Sequence, residues 1–465
     1  MSTADPSPPP ATPVASVPRV RLVVLNYNGG ELVVRCLEAL SKLDWPAERL
    51  DLVVVDNVST DGSERVVAER FPAVRVLRNS ANTGFPGNNL GLRDLDGVDY
   101  VGLVNPDAFV EADWLRAMVT ALAADDGLGA VSARMLFADR FVDVAVASPT
   151  FVPGVADSRE LGVMVSGVRV DGVDRWRDAQ VAQGGWGIEH GRDGTFEWTQ
   201  GDAVVRVPLP GSVASVRLAA EAAKSVTLRC GAHEVVAEVG TEPSWHEVPL
   251  GGGEARDIVN NVGSLVFDDG YGADRGYLEV DEGQYDEPED VFAWCGGSVL
   301  FRPAYLADVG LFDERFFLYY EDTDLSWRGQ TRGWRYRYVP EARVRHIHSA
   351  FTGEGSAMFQ HYVERNRLYM LVKDAPRDMV THALWRYLLV TLSYARRDLV
   401  RPVLRARRPN PTQVLRRLKS LAGLGRLLPA GLVARRRIRR AATVGDETIR
   451  TRLTPRPRAP HTKAQ

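Results

Sequence analysis

Cysteine is scarce in this chain, with three residues, Cys36, Cys230 and Cys295, among 465. So few thiols, so scattered, exclude a disulfide framework or a thiolate zinc cluster, and a reducing cytoplasm is the simplest compartment. Long apolar runs are missing as well. No stretch reaches the roughly 18 apolar residues of a membrane span, and the opening MSTADPSPPPATPVASVP lacks the basic start and apolar run of a secretory signal. The expectation is a soluble or peripheral protein with a disordered lead-in over residues 1–18. Net charge is small too, formally −3, yet it hides an asymmetry: residues 401–440 hold thirteen Lys/Arg and no Asp/Glu, while 279–290 are strongly acidic.

What is present is a long alternation of β-branched runs and helical segments over residues 20–131: VRLVVLN, GELVVRCLEALSKL, LDLVVVDN, GSERVVAERF, VRVLRN. Unbroken apolar runs are the mark of strands covered on both faces, so this is a doubly wound α/β region opening with a nucleotide-sized βαβ unit. Ligands of such sheets sit outside the carboxyl ends of the strands, which makes Asn26, Asp56 and Asp107 neighbours in a predicted cleft. Over residues 161–253 the texture changes to short alternating runs separated by Gly, Pro and Asp, predicting an all-β sandwich inserted into the α/β domain. The α/β texture returns over 254–376. Residues 377–445 then read as a helical, basic region, and 446–465 as a disordered tail.

Five strings, in order, carry a resemblance: VVLNYNGGELVVRCLEAL, VVVDNVSTDGS, LRNSANTGFPGNNLGL, LVNPDAFVEADWL and CGGSVLFRPAYLADVGLFDERFFLYYEDTDLSWRGQTRGWRYRYVPEARVRHIHSA. Together they resemble family-two glycosyltransferases of the GT-A fold, nearest to the bacterial rhamnosyltransferase and galactofuranosyltransferase branch. The likeness covers residues 20–143 and 257–374. It implies a GT-A catalytic domain over 19–160 and 254–376, and a metal-dependent, inverting enzyme that takes a sugar from a nucleoside-diphosphate donor.

On the donor side the resemblance gives Asp56 to the nucleoside, with Asn26 and Asn57 beside it; taken alone, Asp56 and Asp61 equally suit the cap of a helix starting near Ser63. Asn82, Gly84 and Asn88 lie in a Gly- and Asn-rich loop entering a helix, where backbone N–H groups can face a diphosphate. Asn105-Pro106-Asp107 stands at the family's Asp-X-Asp metal motif with the first aspartate replaced. Asp107 is therefore the expected ligand for Mg2+ or Mn2+, with Asn105 on the donor's ribose or a metal-bound water. His346, in preference to His348, matches the histidine that completes the metal or diphosphate site.

An acceptor hydroxyl is a poor nucleophile and needs a base, a role the resemblance assigns to Asp322. Glu321 and Asp324 are expected to crowd it with like charge and raise its proton affinity. The same string also reads as an ordinary acidic helix start. Trp294, Gly296 and Gly297 are expected at the acceptor or donor sugar, with Asp324 on the acceptor side. Cys295 lacks the basic partner a nucleophile requires.

The implied partners are a nucleoside-diphosphate sugar and a glycan or lipid-linked acceptor, with rhamnose the favoured sugar. Leu384, Tyr387, Leu388 and Leu392, followed by the Arg cluster, suit an anionic membrane surface on the cytoplasmic side; a helical cover or homo-oligomer contact explains them equally well. No nucleic-acid recognition motif accompanies the charge. Trp186, Phe196, Trp198 and Trp245 of the insert suit either sugar stacking or its core. The loss of one metal-motif aspartate leaves a second class standing, a catalytically silent sugar-nucleotide or glycan-binding protein.

Overall fold

The computed structural model of the protein describes residues 17–155, 157–191, 194–347 and 356–456. His348 lies outside them, as do residues 1–16 and 457–465, most of the two termini read as disordered. Residues 446–456 are ordered, a correction to the expected tail: Asp446–Thr451 is a helix that buries Ile449, and Thr454 N–H donates to Val266 O at 2.9 Å.

The strands and helices of the first α/β region form where the alternation places them. Helix Gly30–Leu40 buries Val33, Val34, Leu37 and Leu40 along one face, and Trp114–Ala123 buries Trp114, Leu115, Met118 and Leu122. Strand Tyr100–Val104 is buried at every position. Side chains alternate between two core layers: Val20, Leu22 and Val24 enter one, Val23 the other.

Across the ten-stranded sheet the order is Arg75–Arg78, Leu50–Asp56, Val20–Asn26, Tyr100–Val104, Ser298–Phe301, Leu128–Phe137, Arg335–His346 and Glu289–Val291. The first four are parallel, whereas Ser298–Phe301 runs antiparallel to both its neighbours. The architecture is the α/β GT-A fold, its sheet mixed rather than parallel throughout. Parallel register sets Asn26 directly opposite Asp56.

The second body is a nine-stranded antiparallel sheet around a valine-rich core. Its strands bury every second residue, such as Val142, Val144 and Val146, then Ala214, Val216 and Leu218. Two expectations are corrected here. The insert opens at Phe141–Ala147, which pairs with Gly194–Pro208 and Lys224–Cys230, and so begins before residue 161. It is also one curled sheet rather than a two-sheet sandwich, with the terminal strands His233–Val239 and Ser244–Pro249 lying beside each other. Phe141 and Arg256 exchange backbone hydrogen bonds of 2.9 and 2.7 Å where the chain leaves and re-enters the catalytic domain.

Helices Ala357–Asp374, Arg377–Ala395 and Thr412–Ala441 pack on the catalytic domain through a core including Phe316, Trp327, Tyr369 and Leu371. The expected apolar stripe is split: Tyr387 is buried, while Leu388 and Leu392 are exposed. Among the described residues no helix is long and apolar enough to cross a membrane.

Candidate active site

The donor-side motifs come together at the strand ends, but most of their side chains bond one another. Asn26 is fully buried; its amide donates to Asp56 Oδ1 at 3.2 Å and to the hydroxyls of Ser59 and Ser63, and its carbonyl accepts from Gly29 N–H. Asn57 donates to Asn82 Oδ1 at 2.8 Å and to Gly84 O, and accepts from Asn79 and Thr83. Both were expected on the donor; with their hydrogen-bonding capacity used internally, they hold the loops in place instead. Asp56 keeps a buried carboxylate that accepts from Asn26 and from Ser59 N–H. Asp61 caps its helix, accepting from Ser63 N–H at 3.0 Å.

The 82–89 loop is braced rather than open. Gly84 adopts φ +69°, and a Cβ there would meet Phe317 O at 1.9 Å, so only glycine fits. Phe85 N–H donates to Phe317 O at 2.8 Å, Gly84 N–H to Asn82 Oδ1 at 2.9 Å, and the buried Asn88 amide to Phe85 O. The loop leads into the 3-10 turn Phe85–Leu90, not an α-helix start. The expected diphosphate cradle of Asn82, Gly84 and Asn88 is thus a strut joining the donor loops to the segment before Asp322.

Asp107 behaves differently. Its carboxylate is buried, Oδ1 accepts no hydrogen bond, and His346 Nε2 lies 3.3 Å from that oxygen. His346 Nδ1 is held at 3.0 Å by Asn260 Oδ1, and Ile347 N–H donates to Asp107 O. Asn105, at the start of the same turn, donates its N–H to Gly297 O at 2.9 Å. Among the described residues no three His, Cys, Asp or Glu side chains gather into a metal cluster.

Glu321 and Asp322 open the helix Glu321–Thr331 behind a distorted approach: Phe317, Tyr319 and Tyr320 all have φ of 65–70°. Such conformations are costly for side-chain-bearing residues and persist only where the surroundings impose them. Asn366, fully buried on the Ala357–Asp374 helix, imposes them here. Its amide donates to Phe316 O, Leu318 O and Tyr319 O at 2.8–2.9 Å, and Arg365 adds bonds to Arg315 O and Phe316 O.

Asp322 is half-buried. Burial pushes its carboxyl above the usual range, bonds from Thr323 N–H and hydroxyl pull the other way, the negative charge of Asp274 adds to the rise, and a hydrogen bond from the Gly296 backbone opposes it. The like charge that raises Asp322 comes from Asp274 rather than from the two neighbours expected to supply it. Burial, with the negative charge of Asp322 adding to it, holds Glu321 well above the usual carboxylate range. Asp324 is fully buried in ion pairs with Lys373 at 2.6 Å and Arg328 at 3.0 Å, so it is structural and cannot meet an acceptor.

Trp294 is also core, fully buried with its ring centroid 4.8 Å from that of Phe301. Cβ atoms on Gly296 and Gly297 would crowd Phe85 and Met135, so these glycines serve close packing and offer only backbone to the site. Burial pushes the Cys36 and Cys295 thiols up, against a nucleophilic role.

Sequence reasoning missed Asn260, Asn261, Asp274 and Asn366. The first three form a bridge: Asn260 holds His346, while Asn261 Nδ2 donates to Asp274 Oδ1 at 2.5 Å, beside Asp322. The doublet Asn260-Asn261, in the short buried strand Val259–Asn261, was the available signal.

Residues 22–155 match the sequence model of glycosyl transferase family 2, and 267–428 that of glycosyl transferase family group 2. The chain belongs to the family-2 glycosyltransferases, and is a transferase enzyme by that membership. It is 26% identical over 338 residues to the N-acetylglucosaminyl-diphospho-decaprenol L-rhamnosyltransferase of Mycobacterium tuberculosis, covering 72% of this chain and 78% of that one. It is 30% identical over 153 residues to the beta-monoglucosyldiacylglycerol synthase of Synechocystis sp., covering 30% of this chain and 31% of the synthase. A mannosyltransferase from Pyrobaculum calidifontis superposes at a TM-score of 0.39 with 14% identity, over 91% of this chain and 86% of that one.

Proposed function

We propose that this chain transfers a sugar from a nucleoside-diphosphate donor to a hydroxyl of a glycan or lipid-linked acceptor, in one displacement that inverts the anomeric carbon. The carrying observation is the backbone bond from Asn105 N–H to Gly297 O, which seats the Asp107 turn against the glycine pair whose Gly296 backbone is near enough to Asp322 to lower its proton affinity. The Asn260-Asn261 bridge supports the same convergence from the other side. Asp322 takes the acceptor proton, and its raised proton affinity suits that task. Asn366 keeps the approach to Asp322 in its distorted course, so the carboxylate is aimed before the substrate arrives.

Asp107, with His346 beside it, fits a divalent cation such as Mg2+ or Mn2+: its Oδ1 is a buried oxygen that accepts no hydrogen bond. Asp107 and His346 would hold such an ion from the protein side, and the donor and water would have to supply the rest of its ligands. Such an ion would supply charge neutralisation at the departing diphosphate.

Rhamnose is the first donor sugar to test, because the mycobacterial relative is a rhamnosyltransferase. A panel of nucleoside-diphosphate sugars with added Mn2+, scored by nucleoside-diphosphate release, tests the reading; no release from any donor would leave a silent binding protein in its place. For a lipid-linked acceptor the inner face of the plasma membrane is the natural station. Half of the exposed large apolar side chains among the described residues fall between Trp385 and Val433, interleaved with the Arg-rich stretch, as in surfaces that lie on anionic lipid. Sedimentation with anionic but not neutral vesicles is expected; recovery in the supernatant with both would remove the membrane from the proposal.

A further inference from the structure

A cavity of about 1230 Å3 opens where the inserted sheet meets the catalytic domain. One wall, formed by Trp176, Ile188 and Glu197 among others, belongs to the insert; the opposite wall is formed by Phe109, Phe137 and His346 of the catalytic domain. The insert's wall lies outside both stretches that match the family, 22–155 and 267–428. Trp176, Ile188 and Glu197 therefore give the cleft a surface that neither family model describes.

Three observations say what the cleft accepts. First, it adjoins the Asp107 side of the proposed reaction centre, because its lining includes His346, whose Nε2 is 3.3 Å from Asp107 Oδ1, and Phe109, two residues beyond Asp107. Second, its volume exceeds the roughly 300–1,000 Å3 of ordinary small-ligand pockets, so it has room for more than a single sugar ring. Third, its chemistry is amphipathic. The rings of Trp176, Phe137 and Tyr277 and the 68% exposed Ile188 offer apolar faces, while Arg35, Gln180 and Glu197 offer hydrogen bonds.

The charged groups of the lining nearly balance: five cations, Arg35, Lys42, Arg175, Arg177 and Arg345, stand with four carboxyl groups, Glu38, Asp139, Asp178 and Glu197. Arg175 is engaged by Asp139 and by Asp178, the latter at 2.8 Å, Arg345 is paired with Asp257 at 2.5 Å, and Arg35 lies over the Phe109 ring. Glu197 accepts from Gly187 N–H at 2.7 Å, and burial raises its proton affinity. A chain of sugar rings, apolar on their C–H faces and rimmed with hydroxyls, matches this surface better than a phosphate or an acyl tail.

We propose that the cleft between the inserted sheet and the catalytic domain binds the acceptor glycan behind its reacting sugar, so that the insert selects acceptors by length. The proposal rests on the sugar-transfer reading, and its test separates the two. Ile188→Glu places a charge on an exposed position of the wall, and Trp176→Ala removes a ring. Each variant of the full chain is assayed for donor hydrolysis without acceptor, and for transfer to a ladder of short and long rhamno-oligosaccharides. Donor hydrolysis and KM for the shortest acceptor stay unchanged, while KM for the long acceptors rises about tenfold, the loss of one good stacking contact. Saturation-transfer NMR with the same ladder reads binding directly, even for a chain that turns nothing over. Signal from the long saccharides that falls in Ile188→Glu supports the cleft. Equal KM changes for short and long acceptors, or saccharide binding untouched by both substitutions, would overturn it, whereas sugar transfer itself stands or falls separately on donor hydrolysis.

Discussion

The donor-side strand ends and the Asp107–Asp322 region are built from the same residue types, yet they differ in what their polar atoms have left to give. Around Asn26, Asn57 and Asn82 the side chains bond one another and the backbone of their own loops. Around Asp107 and Glu321 there are buried carboxylate oxygens that accept no hydrogen bond. Buried carboxylate oxygens that accept no hydrogen bond are costly to a fold, and Asp107 Oδ1 has His346 Nε2 beside it at 3.3 Å. One region is a frame; the other is where the proposed chemistry falls.

The contrast is sharpest within a single turn of helix. Asp322→Asn should lower kcat by about 10²–10⁴-fold, the range for loss of a general base, with donor affinity and melting temperature retained. Asp324→Asn should do the reverse: two buried cations lose a partner, and stability falls by roughly 3–5 kcal/mol in denaturant titrations. An Asp324→Asn enzyme that is stable but inactive would erase the distinction. Next in size, Asn57→Ala should cost about 1–3 kcal/mol of stability, because it strands the groups Asn57 now satisfies; a loss of donor affinity with unchanged stability would return Asn57 to the donor.

Asn366→Ala tests whether the distorted approach is held from a distance. A fall in kcat of about fivefold is expected, from the loss of roughly 1 kcal/mol of backbone restraint, with donor KM unchanged. The smallest effect concerns pH. The catalytic form of Asp322 is deprotonated, and the negative charge of Asp274 raises its proton affinity. Asp274→Asn should therefore move the acid limb of the kcat/KM profile to lower pH, and a limb that stays in place would remove Asp274 from the site.

The positions of Asp107 after a strand and of Asp322 at a helix start were legible because strand ends and motif order leave a strong imprint on sequence. Asp324 was misread although its i,i+4 partner Arg328 stands in the same string; the other partner, Lys373, is forty-nine positions later, and nothing local announces it. Asn366 was illegible for a related reason. Its partners are carbonyl oxygens of a distant segment, and backbone groups have no sequence signature. The insert was recognised by alternation, but its first strand, FVDVAVA, follows directly on an α/β strand and was assigned to the wrong body.

The reciprocal backbone bonds between Phe141 and Arg256 have a bearing on ancestry. A segment whose two ends are zipped together at its root behaves as a cassette: it can be acquired, exchanged or lost without lengthening the path between the halves it interrupts. Diversification of such a lineage can then proceed by swapping what hangs from that root, while the carboxylates on either side keep their mutual distance.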